Sequence, residues 1–152
     1  SGKLVTQIRR TAQEVAHEQG IDLILCDGSP GIGCPVIASL TGASLALFVV
    51  EPTVSGLHDF HRIAQLTMRL GVPRLLAVNK ADLNPGNTAS IRRWCAESNI
   101  QFLVDLPYDP AVTEAMVLRQ AVTEFHADGV SAEIRRVWRR IVELGNQKAK
   151  AV

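Results

Sequence analysis

The chain has 152 residues, 47% of them apolar and 20% charged, ordinary usage for a folded domain that excludes general disorder. A formal net charge of +1 sets up no overall field to gather nucleic acid or an acidic substrate, so no nucleic-acid partner is expected. No apolar run nears the roughly 18 residues of a membrane span, and three cysteines, an odd number, point to a reducing cytoplasm rather than a disulfide framework.

In chain order, residues 3–19 place Leu4, Ile8, Ala12 and Val15 at helical spacing and stop at Gly20. They read as a helix entered midway through a larger protein. Residues 21–26 (IDLILC) are a short apolar run ending at Asp27 and a Gly/Pro cluster, predicting a buried strand and then a functional loop. Residues 44–50 (SLALFVV) predict a second strand. Thr53 and Ser55 are candidate N-caps for a helix over 56–70, closed by Gly71. Residues 75–78 predict a third strand ending at Asn79, and 87–98 a helix with Ile91, Trp94 and Cys95 on one face. Residues 101–104 predict a fourth strand, followed by Leu106-Pro107-Tyr108-Asp109-Pro110. A last helix over 130–144 has Val130, Ile134, Val137, Trp138 and Ile141 as its stripe. Nearly continuous apolar strands alternating with helices predict an α/β fold: a mostly parallel sheet with helices on both faces. Polar and Gly/Pro-rich segments fall just after the strands, the edge where open α/β sheets bind ligands.

Three of those loops carry candidate chemistry. In Asp27-Gly28-Ser29-Pro30-Gly31-Ile32-Gly33, a carboxylate closing a strand is placed to hold hydrated magnesium, and the glycines let backbone N–H groups approach a phosphate. The same residues also suit a plain strand-to-helix turn with Asp as cap. In Asn79-Lys80-Ala81-Asp82, an Asn can hydrogen-bond a purine edge and a Lys stem can pack on the ring. The Asp can accept two hydrogen bonds from guanine, which adenine cannot supply. A turn built from Asn, Asp and Pro85-Gly86 is the alternative. Pro107-Tyr108-Asp109 can line a nucleoside pocket or form a proline turn.

The succession LILCDGSPGIG, LALFVVEPTVSGLHD, LLAVNKADLN and DLPYDPAVTEAM resembles the second half of the MinD/ParA/nitrogenase-iron-protein group of P-loop nucleotide hydrolases. Within that group it is similar to the MinD-like ATPases with a ferredoxin module inserted between their two halves. The resemblance runs from about Ile21 to Val122. It implies that Asp27 is the magnesium residue, that Gly31 belongs to the segment sensing the terminal phosphate, and that Glu51-Pro52-Thr53 lies beside that segment. Asn79 and Pro107, Tyr108 and Asp109 then hold base and ribose. Lys80 and Asp82 are added as candidates by the Asn-Lys-x-Asp reading above, and with ATP bound Asp82 is expected to cap the following loop instead. Cys34, seven residues after Asp27, matches the spacing of a cysteine that ligates a shared iron–sulfur cluster in the nitrogenase iron protein; a small packing residue at a helix entry before Pro35 is the plainer alternative. The group's glycine-rich phosphate loop with its Lys-Ser/Thr is absent from this sequence, and so is a ferredoxin cysteine cluster. The expectation is therefore a single partial domain over 1–152: the C-terminal half of a longer protein, or one subunit of a split enzyme. ATP with magnesium is the expected cofactor, GTP being the alternative that the complete Asn-Lys-x-Asp raises. An iron–sulfur cluster is expected in the missing upstream part. The partners implied are that N-terminal half, a second copy in a homodimer, and a redox protein.

Weaker signals have plainer readings. His58 and His61 stand one helical turn apart without a third ligand at readable spacing, so a solvated face is expected. Cys26 and Cys95 read as core residues. Arg135, Arg136, Arg139 and Arg140 lie opposite the last helix's apolar stripe, and a docked closing helix is expected rather than membrane contact. The function expected is a cytoplasmic ATPase module, inactive by itself. The rivals are a GTPase metallochaperone and a non-hydrolytic scaffold.

Overall fold

The computed structural model describes residues 2–28 and 31–149, with side chains to residue 145. The chain order is α1 (Gly2–Gln19), α2 (Cys34–Leu40), β1 (Ala46–Val50), α3 (Val54–Arg69), β2 (Arg74–Asn79), a 3-10 turn (Ala81–Leu83), α4 (Pro85–Glu97), β3 (Gln101–Leu106), α5 (Pro110–Val117), α6 (Val122–Phe125) and α7 (Val130–Ala149). Two compact units arise. One takes residues 2–46 and 58–73, the other residues 47–57 and 74–149.

The second unit holds a three-stranded parallel sheet in the order β1-β2-β3. Its middle strand is buried at four consecutive positions, Leu75 to Val78, as an apolar run in a doubly covered sheet should be. β2 pairs in parallel with β3 from Leu75 opposite Gln101 to Asn79 opposite Leu106, with a slip between Leu76 and Ala77. β1 alternates: Ala46, Phe48 and Val50 are buried, Leu47 and Val49 exposed. α4 packs on β3 through a face that buries Thr88, Ile91 and Cys95. Burial without a charged partner pushes the Cys95 thiol up from 9.0 to about 11. α4 starts cleanly because Asn84 Oδ1 accepts the Asn87 N–H at 3.0 Å and Pro85 stands in the first turn. α7 packs on β3 and α6, and Arg135 donates to the carbonyls of Ala127 (2.9 Å) and Thr123. That guanidinium joins elements instead of standing wholly in water, whereas Trp138, expected in the apolar stripe, is exposed.

In the first unit α1 packs on α2, and Arg9 donates to the carbonyls of Ala38 (2.9 Å) and Thr41. The covered stripe of α1 is Val5, Arg9, Ala12 and Ala16, not the expected Leu4, Ile8, Ala12 and Val15; of those four only Ala12 is partly buried. The covered face is thus rotated by about one residue and includes an arginine held by carbonyls. Phe60, Ala64 and Thr67 form the buried face of α3. The Thr67 hydroxyl reaches the Ile63 and Ala64 carbonyls at 3.0 and 2.9 Å.

The expected first strand does not form. Residues 21–28 have neither helix nor ladder and are exposed throughout, Leu25 at 81%. A strand is defined by its neighbour: without a ladder, backbone N–H and C=O groups must turn to water, and the side chains follow. Cys26, read from sequence as a core residue, is exposed as well.

Candidate functional site

At the carboxyl ends of the second unit's strands, three loops are tied to one another. The loop after β1 begins at Glu51. Thr53 accepts the Gly56 N–H through its hydroxyl at 3.0 Å and so caps α3, as its position before the helix predicts. Gly56 has no room for a side chain, since a Cβ there would lie 2.4 Å from the Glu51 carbonyl oxygen. Asn87, in the first turn of α4, donates through Nδ2 to the Pro52 carbonyl at 2.9 Å. The Lys80 ammonium meets Glu51 Oε1 at 2.7 Å. Both side chains are part-exposed, so this contact fixes geometry more than it stabilises. Lys80 itself has φ +51, a left-handed conformation uncommon for a residue with a Cβ; it turns the chain sharply out of β2 into the 3-10 turn.

The loop after β2 is joined in turn to the loop after β3. Asp82 Oδ1 accepts the Tyr108 backbone N–H at 2.7 Å. The Thr88 hydroxyl donates to the Ala81 carbonyl at 2.8 Å and holds the 3-10 turn on α4. Asp109 caps α5 by accepting the Ala111 N–H at 2.9 Å. Its other oxygen leaves a Cβ at Gly129 only 3.2 Å, and Gly129 has φ +61, so glycine is needed there twice over. Asn79, half-buried at the end of β2, makes no side-chain hydrogen bond among the described residues. An open cavity of about 400 Å³ is lined by Asp82, Thr88, Arg92, Asp105 and Pro107 among others. There Arg92 pairs with one oxygen of Asp105 and stacks over Phe102 at 5.1 Å, while Asp105 Oδ1 is buried without a partner.

Asp27, Gly31 and Cys34 belong to the first unit. Asp27 closes an irregular exposed segment rather than a buried strand, because residues 21–26 lack a ladder. Gly31 has φ +84, the region only glycine enters freely, as expected of a loop that turns sharply. Cys34 is exposed and opens α2, whose first turn holds Pro35. His58 faces Asp59 at 3.5 Å, and no group of three or more His, Cys, Asp or Glu side chains able to hold a metal occurs among the described residues.

Of the candidate residues, Asp82 and Tyr108 are in direct contact, and Asp82 and Pro107 share one cavity. Sequence reasoning missed Asn87, Arg92, Asp105, Gly56 and Gly129. A glycine immediately before a helix marked Gly129, and Asn three residues after Asn84 marked the α4 start. Nothing local marked the Arg92–Asp105 pair, which spans two elements.

No family model matches the chain. It is similar to two proteins of Methanocaldococcus jannaschii described as uncharacterized. MJ0578 is 37% identical over 84 residues, 55% of this chain and 29% of that protein. MJ0579 is 23% identical over 114 residues, 75% of this chain and 36% of that protein. The chain thus spans about a third of the curated relatives' length. The crystal structure of the cell division ATPase MinD of Pyrococcus furiosus superposes with a TM-score of 0.65 at 16% identity, covering 100% of this chain and 60% of that one. The chain therefore shares the α/β fold of that MinD structure, matching 60% of the MinD chain.

Proposed function

We propose that this chain is the magnesium- and base-binding portion of a MinD-like ATPase whose phosphate loop lies in another segment or subunit. The observation that carries the reading is the joining of the β2 and β3 loops by Asp82 and Tyr108 at the carboxyl edge of a parallel sheet, where open α/β sheets take their ligands. Asn79 offers an amide to the base, and Pro107, Tyr108 and Asp109 close the pocket beside it. Asp27 would hold magnesium through its water shell, and the Gly31 backbone would meet the terminal phosphate. A single exposed carboxylate fits magnesium, which keeps several waters and is otherwise held by phosphates. Bound there, the ion would neutralise charge on the phosphates during transfer to water. The chain's own part is positioning: holding the base, orienting the ion's water shell and moving the glycine loop.

An iron–sulfur cluster takes four thiolates, and the described residues offer two exposed cysteines and one buried one. This chain does not fit a cluster by itself. A cluster and a redox partner would belong to other segments or subunits, with Cys34 as this chain's contribution at a homodimer contact. The complete Asn79-Lys80-Ala81-Asp82 favours a GTPase instead, and the absence of a glycine-rich Lys-Ser/Thr sequence favours a non-hydrolytic scaffold.

The test is competition binding to the intact protein with and without magnesium. ATP preference with a magnesium-dependent part lost in Asp27→Ala is expected. GTP outcompeting ATP tenfold or more would transfer the reading to a GTPase, and no nucleotide binding would transfer it to a scaffold.

A further inference from the structure

Asn79-Lys80-Ala81-Asp82 has the residues to read guanine, yet two of its side chains are already occupied within the protein. Lys80 is bound to Glu51 at 2.7 Å. Asp82 Oδ1 accepts the Tyr108 N–H at 2.7 Å, and the carboxylate lines the cavity shared with Arg92, Asp105 and Pro107. Reading guanine requires both oxygens of one carboxylate aligned on the two donors of the ring edge. Here the carboxyl orientation is set by the backbone of the β3 loop. Asn79 alone keeps a side chain with donor and acceptor unassigned among the described residues, and an amide can pair with adenine's N6 donor and N7 acceptor.

We infer that Asp82 is a positioning residue that clamps the β3 loop through Tyr108 N, leaving base selection to Asn79. This rests on the nucleotide-binding reading above. The clamp also explains the neighbouring contacts. Asn87 and Lys80 tie the β1 loop to the β2 segment, and Asp82 ties that segment to the β3 loop, so the three loops are held in one arrangement with no base present. The chemistry separates the two roles of Asp82. A clamp needs only a hydrogen-bond acceptor at Oδ1, which an asparagine also supplies. Guanine reading needs a carboxylate, and an asparagine there would instead suit xanthine, whose 2-carbonyl replaces the 2-amino donor.

The experiment compares the wild type, Asp82→Asn and Asp82→Ala in two measurements. The first is exchange of the Tyr108 amide hydrogen without nucleotide. Asp82→Ala should speed it about tenfold or more, as expected for loss of a hydrogen bond to a charged acceptor, and Asp82→Asn should fall between the two, a neutral acceptor keeping a weaker bond. The second is affinity for ATP, GTP and xanthosine triphosphate. ATP affinity should fall in Asp82→Ala, be restored in Asp82→Asn, and xanthosine triphosphate should gain in neither. A Tyr108 amide that exchanges equally fast in all three proteins overturns the clamp. Gain of xanthosine triphosphate with loss of GTP in Asp82→Asn overturns it in favour of guanine reading. Absence of binding by any nucleotide to the wild type overturns the nucleotide reading and the role given to Asn79, while the exchange pattern still decides the clamp.

Discussion

The loop after β2 and the loop that begins at Asp27 start from similar material, an apolar run ending in a polar turn. LLAVN is buried at four consecutive positions between two neighbouring strands, and the loop that follows is held at Glu51, Thr88 and Tyr108. IDLILC has no ladder, stands exposed, and leads into a loop built on a glycine at φ +84. Rigid loops suit recognition of a part that does not change, such as a base, because preorganisation reduces the entropy lost on binding. Loosely held segments suit sensing, because a ligand can order them. The division of labour proposed above follows that contrast. It can be broken from either side.

The largest effect is expected in the exposed segment and in activity alone. In the intact protein, Asp27→Ala should lower ATP turnover by at least about 100-fold, as loss of a group acting on transition-state charge does. Its effect on folding stability should stay within about 0.5 kcal/mol, since the side chain is exposed. Steady-state kinetics beside denaturant titration measures both. The 152-residue chain alone should show no turnover; turnover by it that Asp27→Ala abolishes would mean that the phosphate loop is not missing.

The opposite profile is expected at β2. Leu76 is fully buried in the middle of the sheet, and Leu76→Ala should cost about 2–5 kcal/mol, the lost transfer energy plus a cavity. Gly56→Ala should cost about 1–3 kcal/mol, because the new methyl meets a backbone carbonyl that cannot move without shifting Glu51 and its contact with Lys80. Urea denaturation midpoints test both. A Gly56→Ala protein as stable as wild type would show that the β1 loop is free to move, and the contrast with the exposed segment would weaken.

These cases also show which features were legible in the sequence. β2 was readable because four apolar residues in a row admit few alternatives, and α4 because Ile91, Trp94 and Cys95 recur at helical spacing; its start was read two residues late because Pro85-Gly86 also suits a turn. IDLILC carries the same kind of composition, but a ladder partner is non-local and composition does not name it. The α1 stripe was read one residue out because Arg9, a charged residue, occupies the covered face by donating to two carbonyls. No element was assigned to residues 110–117, although Asp109-Pro110, an N-cap followed by a first-turn proline, opens α5 there. At the site, motif order pointed to the loops. The Asp82–Tyr108 bond, spanning 26 residues, needed the structure.

A pH titration tests the core beside β3. Cys95 has its thiol pushed up from 9.0 to about 11 by burial. Below pH 9 both folded and unfolded chains hold the proton, and the stabilisation is fully present. Between pH 9 and about 11 the unfolded chain releases its proton while the folded chain keeps it, so stability falls, by on the order of 2–3 kcal/mol in all. Stability measured at pH 8 and pH 10.5 should diverge in wild type and diverge less in Cys95→Ala. Thiol reagents near pH 8 should modify exposed Cys26 and Cys34 quickly and Cys95 slowly. Equal labelling of all three would place Cys95 outside a packed core.

The smallest effect is expected at Leu25, and its value lies in matching Leu76→Ala. The two substitutions remove the same atoms from two similar apolar runs, one in a ladder and one not. Leu25 is 81% exposed, so Leu25→Ala leaves no cavity and little transfer energy is lost, and stability should change by less than about 0.5 kcal/mol. An exposed apolar run with free backbone groups is also a template for another strand. Stability should therefore be measured at low and high protein concentration, with sedimentation run in parallel. No change at either concentration sets residues 21–28 apart as a segment whose side chains contribute nothing to this fold. A loss of about 2 kcal/mol or more at both, comparable to a core truncation, would mean that the run is buried in solution, and the contrast between the two loops would collapse.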